Sequence, residues 1–250
     1  MFLGGFGAAL VIIVVVVLVT VVLPGGKPKS KVATKPSGTA KTSTSAGTPT
    51  SSGPTPVSVP LLAAPAKVGC PKLDGPNPHY THFSAPPKMC IDPAKTYTAK
   101  MKTDIGTITI KLAAAKNPTT VNNFVFLAGY HFFDGTAFHR VIPGFVDQGG
   151  DPTGTGTGGP GYQFNGGAPK SPSVYTAGAL AMANSGGPST DGSQFFIVVG
   201  QGGKGLSPNY SYFGQVTSGM SVVDKINADG TASGTPKVVH KVESVTISVS

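Results

Sequence analysis

The chain has 250 residues, 35 of them glycine, with no tryptophan, two cysteines and a formal net charge of +9, a length that allows one or two domains. The charge is uneven: residues 1–90 carry eight Lys against one Asp, whereas residues 91–250 carry eleven basic side chains against nine acidic ones. The lysines from Lys27 to Lys72 are dispersed and have no aromatics between them, so the composition argues against nucleic-acid binding and for a solvated basic spacer joined to a nearly neutral domain.

Met1 to Leu23 has no charged residue and includes the run LVIIVVVVLVTVVL. About 20 apolar residues suffice to cross a bilayer as a helix, and no small-x-small cleavage site follows, so residues 1–23 read as an uncleaved transmembrane anchor. Lys27, Lys29, Lys31 and Lys35 follow this segment and no basic residue precedes it. Charge alone would therefore place the domain in the cytoplasm. Residues 24–66 are rich in Lys, Thr, Ser, Gly and Pro and cannot bury enough surface to offset their ordering entropy, so they read as a flexible linker.

Residues 67–93 form an extension bracketed by Cys70 and Cys90. An even cysteine count around a short proline-rich segment reads as a disulfide in an oxidising compartment. The alternative is a metal site completed by His79 and His82, although the spacing matches no standard zinc pattern. The disulfide reading favours an extracytoplasmic domain over the cytoplasmic placement.

The globular part spans residues 94–250. Tyr97 to Lys102 and Thr107 to Leu112 alternate apolar and polar side chains around a Thr103–Gly106 turn, which predicts a hairpin. Asn117-Pro118 opens a helix whose apolar face is Val121, Phe124, Val125 and Ala128, with Gly129 as its stop. Short strands are expected at Phe138–Val141, Ala179–Ala183, Phe195–Val199 and Tyr212–Val216. A second helix is expected at Gly219–Ile226, and one or two closing strands within Val238–Val249.

Several chemistries are weak here. Gly154 to Gly159 satisfies GxGxxG, but Pro160-Gly161 follows it where a helix would be required. His139, Asp191 and Ser193 could be drawn as a triad, but nothing in their spacing requires one. What remains is Phe138–Gly150, FHRVIPGFVDQGG. It holds Arg140, the only arginine in the chain. A guanidinium offers a permanent charge and a fixed fork of donors, although a lone arginine can also anchor a loop through a salt bridge. With Ala181–Gly186 and Asp191–Phe196, this stretch supplies apolar walls (Phe145, Val146, Met182, Phe196) and amides (Gln148, Asn184, Gln194), a combination suited to binding a peptide side chain.

FHRVIPGFVDQGGDPTGTGTGGPGYQF and LAMANSGGPSTDGSQFFI resemble the cyclophilin-type peptidyl-prolyl cis-trans isomerases, from about Tyr97 to the C-terminus. The resemblance implies a mainly β fold, a closed eight-stranded antiparallel barrel capped by two α-helices, with a substrate groove on its outer face. It implies Arg140 as the catalytic arginine, acting with Phe145 and Gln148. Val146, Ala183, Asn184, Gln194, Phe196, Leu206 and Tyr210 would line the proline pocket and groove. Gln148 and Asn184 would hold the substrate backbone.

Three positions depart from the family pattern. Val146 stands where Met is common, Tyr210 where a His is usual, and Gly205 where a Trp is usual. Because that Trp contacts cyclosporin in the family, weak cyclosporin binding is expected. The implied partners are proline-containing polypeptides undergoing folding after export, and the membrane through the N-terminal helix. Neither cofactor nor metal is called for, and the domain is expected to be a monomer. The alternative is a tethered module that binds proline segments without turning them over.

Overall fold

The computed structural model describes residues 57–250. The anchor predicted for residues 1–23, and the linker up to residue 56, lie outside the described residues. Among the described residues no helix is long and apolar enough to cross a membrane.

Ten principal elements follow in order: β1 (Tyr97–Thr103), β2 (Gly106–Leu112), α1 (Pro118–Gly129), β3 (Arg140–Ile142), β4 (Val146–Gly149), β5 (Ala179–Met182), β6 (Phe195–Val198), β7 (Tyr212–Ser218), α2 (Met220–Ala228) and β8 (Val242–Val249). The predicted hairpin is β1–β2, paired from Tyr97–Leu112 to Thr103–Gly106. Asn117 caps α1, its side chain accepting from the Thr120 N–H, and Pro118 fills the first turn. Gly129 closes the helix for a reason the sequence does not reveal. The left-handed residue is His131 (φ 58), while a side chain at Gly129 would come within 2.5 Å of Pro71 in the extension. β4 has no strand signature in the sequence, since Asp, Gln and Gly are poor strand formers, and it holds its place through ladders to β3 and β6.

The eight strands form one antiparallel sheet in the order β3-β4-β6-β5-β7-β2-β1-β8. This corrects the expectation of a closed barrel: the sheet is an open half-barrel, with β3 and β8 at its two ends and unpaired to each other. Backbone bonding gives the physical reason. The outward N–H and C=O of Val141 in β3 go to Gly234 and Thr231, so the loop after α2 occupies the edge that β8 would need. Contact across the seam is limited to the bridge Ala137–Lys241 and neighbouring bonds such as Phe138 N–H to His240 O.

β5 and β6 are buried on both faces, which explains why they read as unbroken apolar runs. One face sends Leu180, Met182, Phe195 and Ile197 into the main core with Phe124, Phe138 and Phe213. The other sends Ala179, Ala181, Phe196 and Val198 into a smaller cluster with Val146 and Tyr175, and this second cluster carries the site described below. Cys70 and Cys90 are disulfide-bonded, which leaves no thiolate for a metal shared with His79 and His82. The extension packs on α1 through Asn122, whose Oδ1 accepts from Cys90 N and whose Nδ2 donates to Lys88 O. Residues 57–66 run alongside, with Val59 N–H bonded to Pro152 O and Leu62 O accepting from Thr81 N–H.

Candidate active site

Arg140 and Gln148 face each other across the β3–β4 ladder. Directly opposed residues share a face of the sheet, so their side chains rise together from it. Arg140 Nη1 donates to Gln148 Oε1 at 3.1 Å, Gln148 Nε2 donates to Gln194 Oε1 at 2.9 Å, and Gln194 Nε2 donates to the carbonyls of Gly156 and Gly158. This chain of amides holds the guanidinium by hydrogen bonding, and among the described residues no carboxylate pairs with it. The salt-bridged loop anchor is therefore not what Arg140 is. Its stem lies along Gly234 (φ 93), where a side chain would come within 3.1 Å of Arg140 Cγ. Nothing in the sequence marks Gly234 as a neighbour, because it is ninety-four positions away.

A cavity of about 260 Å³ is lined by Arg140, Phe145, Val146, Gln148, Ala183, Asn184, Phe196, Leu206 and Tyr210. The walls follow from local structure. Gly144 (φ 68) turns the chain between β3 and β4 and presents Phe145, whose carbonyl accepts from Val199 N–H. Phe196, at the centre of β6, forms the floor, and the Tyr210 ring stands edge-on to it at 5.3 Å. The Tyr210 main chain is gripped by the buried Tyr175 hydroxyl, which donates to Tyr210 O (2.6 Å) and accepts from Tyr210 N–H (3.1 Å). Tyr175 escapes a reading of the sequence; only its aromatic character before an apolar run hints at burial.

The candidate residues thus gather in one place. Gln194 stands just beyond the cavity, joined to it through Gln148, and lines a larger groove of about 670 Å³ with Ala183, Asn184 and the 156–163 loop. Asn184 differs in detail from its expected role. Both its Nδ2 hydrogens are used internally, on Asp191 Oδ1 and Asn209 O, and its Oδ1 accepts from Gly187 N–H. Its side-chain N–H donors are therefore not free for a ligand.

The dismissed chemistries have physical explanations. The amide groups of Thr153, Thr155, Gly156 and Gly158 all point at the Asp151 carboxylate, so the glycine loop already encloses an anion of its own. Burial pushes the Asp151 carboxyl up, but the bonds from Thr153, Gly158 and Gly156 outweigh it and hold it below the ordinary range. Ser193 Oγ donates to Gly150 O, and Asp191 bonds Ser211 and Asn184, so no triad forms with His139. Burial lowers the His139 imidazole, and both its ring nitrogens are buried without partners. Among the described residues no group of three His, Cys, Asp or Glu side chains is placed to hold a metal.

The chain is similar to several known proteins. The family model for cyclophilin-type peptidyl-prolyl cis-trans isomerases matches residues 98–248. The chain is 43% identical over 162 residues to a probable peptidyl-prolyl cis-trans isomerase B of Mycobacterium leprae, covering 59% of this chain and 54% of that protein. It is 53% identical over 103 residues to peptidyl-prolyl cis-trans isomerase B of Bacillus subtilis, covering 41% and 71%. Among solved structures it resembles a cyclophilin-type isomerase of Cryptosporidium parvum, with a TM-score of 0.55 and 30% identity, covering 61% of this chain and 98% of that one. The same protein has also been solved in the presence of the dipeptide Ala-Pro. The chain spans about half the length of the mycobacterial isomerase B proteins it matches.

Proposed function

The chain belongs to the cyclophilin-type peptidyl-prolyl cis-trans isomerase family, and on that basis we propose that it accelerates rotation about Xaa-Pro bonds with Arg140 as the catalytic group. The observation that carries this reading is the Arg140–Gln148–Gln194 chain of hydrogen bonds beside a pocket walled by Phe145, Val146, Phe196, Leu206 and Tyr210.

The chemistry follows from the amide. Conjugation of the nitrogen lone pair with the carbonyl sets a barrier of about 18–20 kcal/mol, and uncatalysed exchange takes tens of seconds or longer. In the twisted transition state the lone pair is released and the nitrogen becomes a better acceptor. A donor aimed at it binds the transition state more strongly than the planar ground state, which is the condition for catalysis. Phe145, Val146, Phe196 and Tyr210 hold the ring. Gln148 orients the guanidinium, and the Ala183–Asn184 main chain offers hydrogen bonds to the flanking peptide. No bond breaks, so no nucleophile is required.

The substrates in this reading are exported proteins during folding, and the domain is held at the membrane by residues 1–23, facing outward. The bonded Cys70–Cys90 pair supports an oxidising compartment, and the uncharged 23-residue run supports the tether. In this reading the pocket needs no second subunit to bring its residues together. Cyclosporin binds weakly because Gly205 has no indole to offer it. The direct test is exchange spectroscopy on a proline-containing peptide with the full chain. Line shapes showing faster cis-trans exchange support the enzyme; peptide binding with exchange at the uncatalysed rate would instead identify a proline-peptide binding module.

A further inference from the structure

Asp191 is fully buried at the end of the short 3-10 helix Pro188–Thr190, beneath the groove, and has no place in the mechanism above. Its Oδ1 accepts from Asn184 Nδ2 at 3.2 Å, and its Oδ2 accepts from Ser211 Oγ. One partner lines the pocket and the other adjoins it. Asn184 lines it, and Ser211 is the residue after Tyr210, the aromatic wall. Ser211 O also accepts from Met182 N–H, so the two segments that Asp191 joins are already side by side. The remaining side of the carboxylate is closed by Gly166, where a Cβ would meet Asp191 Oδ2, Ser211 Oγ and Thr120 Oγ1 within 2.6 Å.

We propose that Asp191 is a positioning residue for isomerisation, its buried carboxylate fixing the Asn184 main chain and the Tyr210 wall at once. The proposal rests on the isomerase reading above and adds to it an ionisable group that the substrate never touches. A carboxylate accepts from both partners, whereas a protonated carboxyl must turn one oxygen into a donor and weaken one of those grips. Ser211, Asn184 and Thr120 around it are neutral, and Tyr175 is the ionisable side chain that feels its charge. Burial pushes the Asp191 carboxyl up to about 6 against the opposing bonds from Ser211 and Asn184, so protonation falls within a range where the fold can be assayed.

The test uses the full-length chain. Wild-type kcat/KM should fall about tenfold between pH 8 and pH 5, as expected for loss of an active ionised form with a midpoint near 6. The Asn184 side-chain amide resonances should move with the same midpoint. Asp191→Asn cannot ionise and carries a fixed donor where one carboxylate oxygen stood, as the protonated carboxyl does, so its kcat/KM should sit near the wild-type pH 5 level at every pH and the acid-side fall should vanish. Asp191→Ala should raise KM at pH 8 about tenfold through loss of two hydrogen bonds, with thermal unfolding checked to exclude a folding defect. An active Asp191→Asn protein that keeps the wild-type inflection, or an Asn184 amide that does not shift between pH 5 and 8, overturns the proposal. Absence of activity at every pH with an Asn184 amide that still titrates locates the failure in the isomerase reading and removes the catalytic role with it.

Discussion

Arg140 and Gln148 occupy one rung of the β3–β4 ladder, eight positions apart in sequence, and the Gln148 carboxamide oxygen accepts a hydrogen bond from Arg140 Nη1 at 3.1 Å. The charge is thus aimed by a neutral partner, which leaves it available to a substrate. Gln148→Ala removes this aim without touching the charge. A hydrogen bond to a charged group is worth about 1.5–3 kcal/mol, so kcat/KM should fall about ten- to a hundredfold with the fold intact. Steady-state isomerisation kinetics beside a thermal unfolding curve would check this.

At Gly205 a Cβ would meet no atom within 4 Å, and the residue does not lie in the left-handed region, so a side chain has room there. Gly205→Trp should strengthen cyclosporin binding at least about tenfold, or about 1.4 kcal/mol. Titration calorimetry on both proteins would decide. Unchanged affinity would mean that this position does not reach the drug.

The disulfide closes a loop with a sequence separation of 20. The chain-entropy model gives about 3 kcal/mol for a loop of that size. Replacing Cys70 and Cys90 together by Ser should lower the unfolding midpoint by several degrees. Isomerase activity at room temperature should persist, because the extension contributes no residue to the proline pocket. Reductant should shift the wild type toward the double variant and leave that variant where it is.

His240 places both ring nitrogens on carboxylates, Nδ1 on Asp104 (2.9 Å) and Nε2 on Asp229 (3.0 Å). Burial works against its charge, but the bonds to Asp229 and Asp104 prevail and raise it above 6.5. A raised histidine contributes stability that is complete below its unfolded value and disappears as pH rises through the folded one. Asp147 acts in the same direction. It is fully buried, with one bond from Asn227 Nδ2 and no partner on Oδ2, and burial pushes it up to about 7. Its ionised form therefore costs stability progressively from about pH 4 to 7. The unfolding midpoint should decline from pH 5 to pH 8. Asp147→Asn should stabilise the protein at pH 8 by about 3 kcal/mol, and much less at pH 5. A midpoint that rises with pH over this range would contradict both assignments.

The sequence made the hairpin, both helices and the members of the pocket legible, because periodicity and long motifs are local. What it could not show was set by contacts between distant segments. The half-barrel stays open because residues 231–234 take the edge of β3, a pairing with no local signal. Gly129 answers to Pro71 and Gly234 to Arg140 for the same reason. Asp191 could be drawn as a triad member on paper, whereas its partners are Asn184 and Ser211. The spent amide of Asn184 likewise becomes apparent only once Asn209 and Gly187 are in place.

The most direct measurement is cis-trans exchange of a Xaa-Pro peptide catalysed by the full chain, compared with its Arg140→Ala variant at matched folding. Rapid exchange is expected with the wild type, and a loss of at least about a hundredfold in kcat/KM in the variant, on the scale of removing a preorganised charge-stabilising donor. A folded Arg140→Ala protein as active as the wild type would contradict the assignment of Arg140 as the catalytic group.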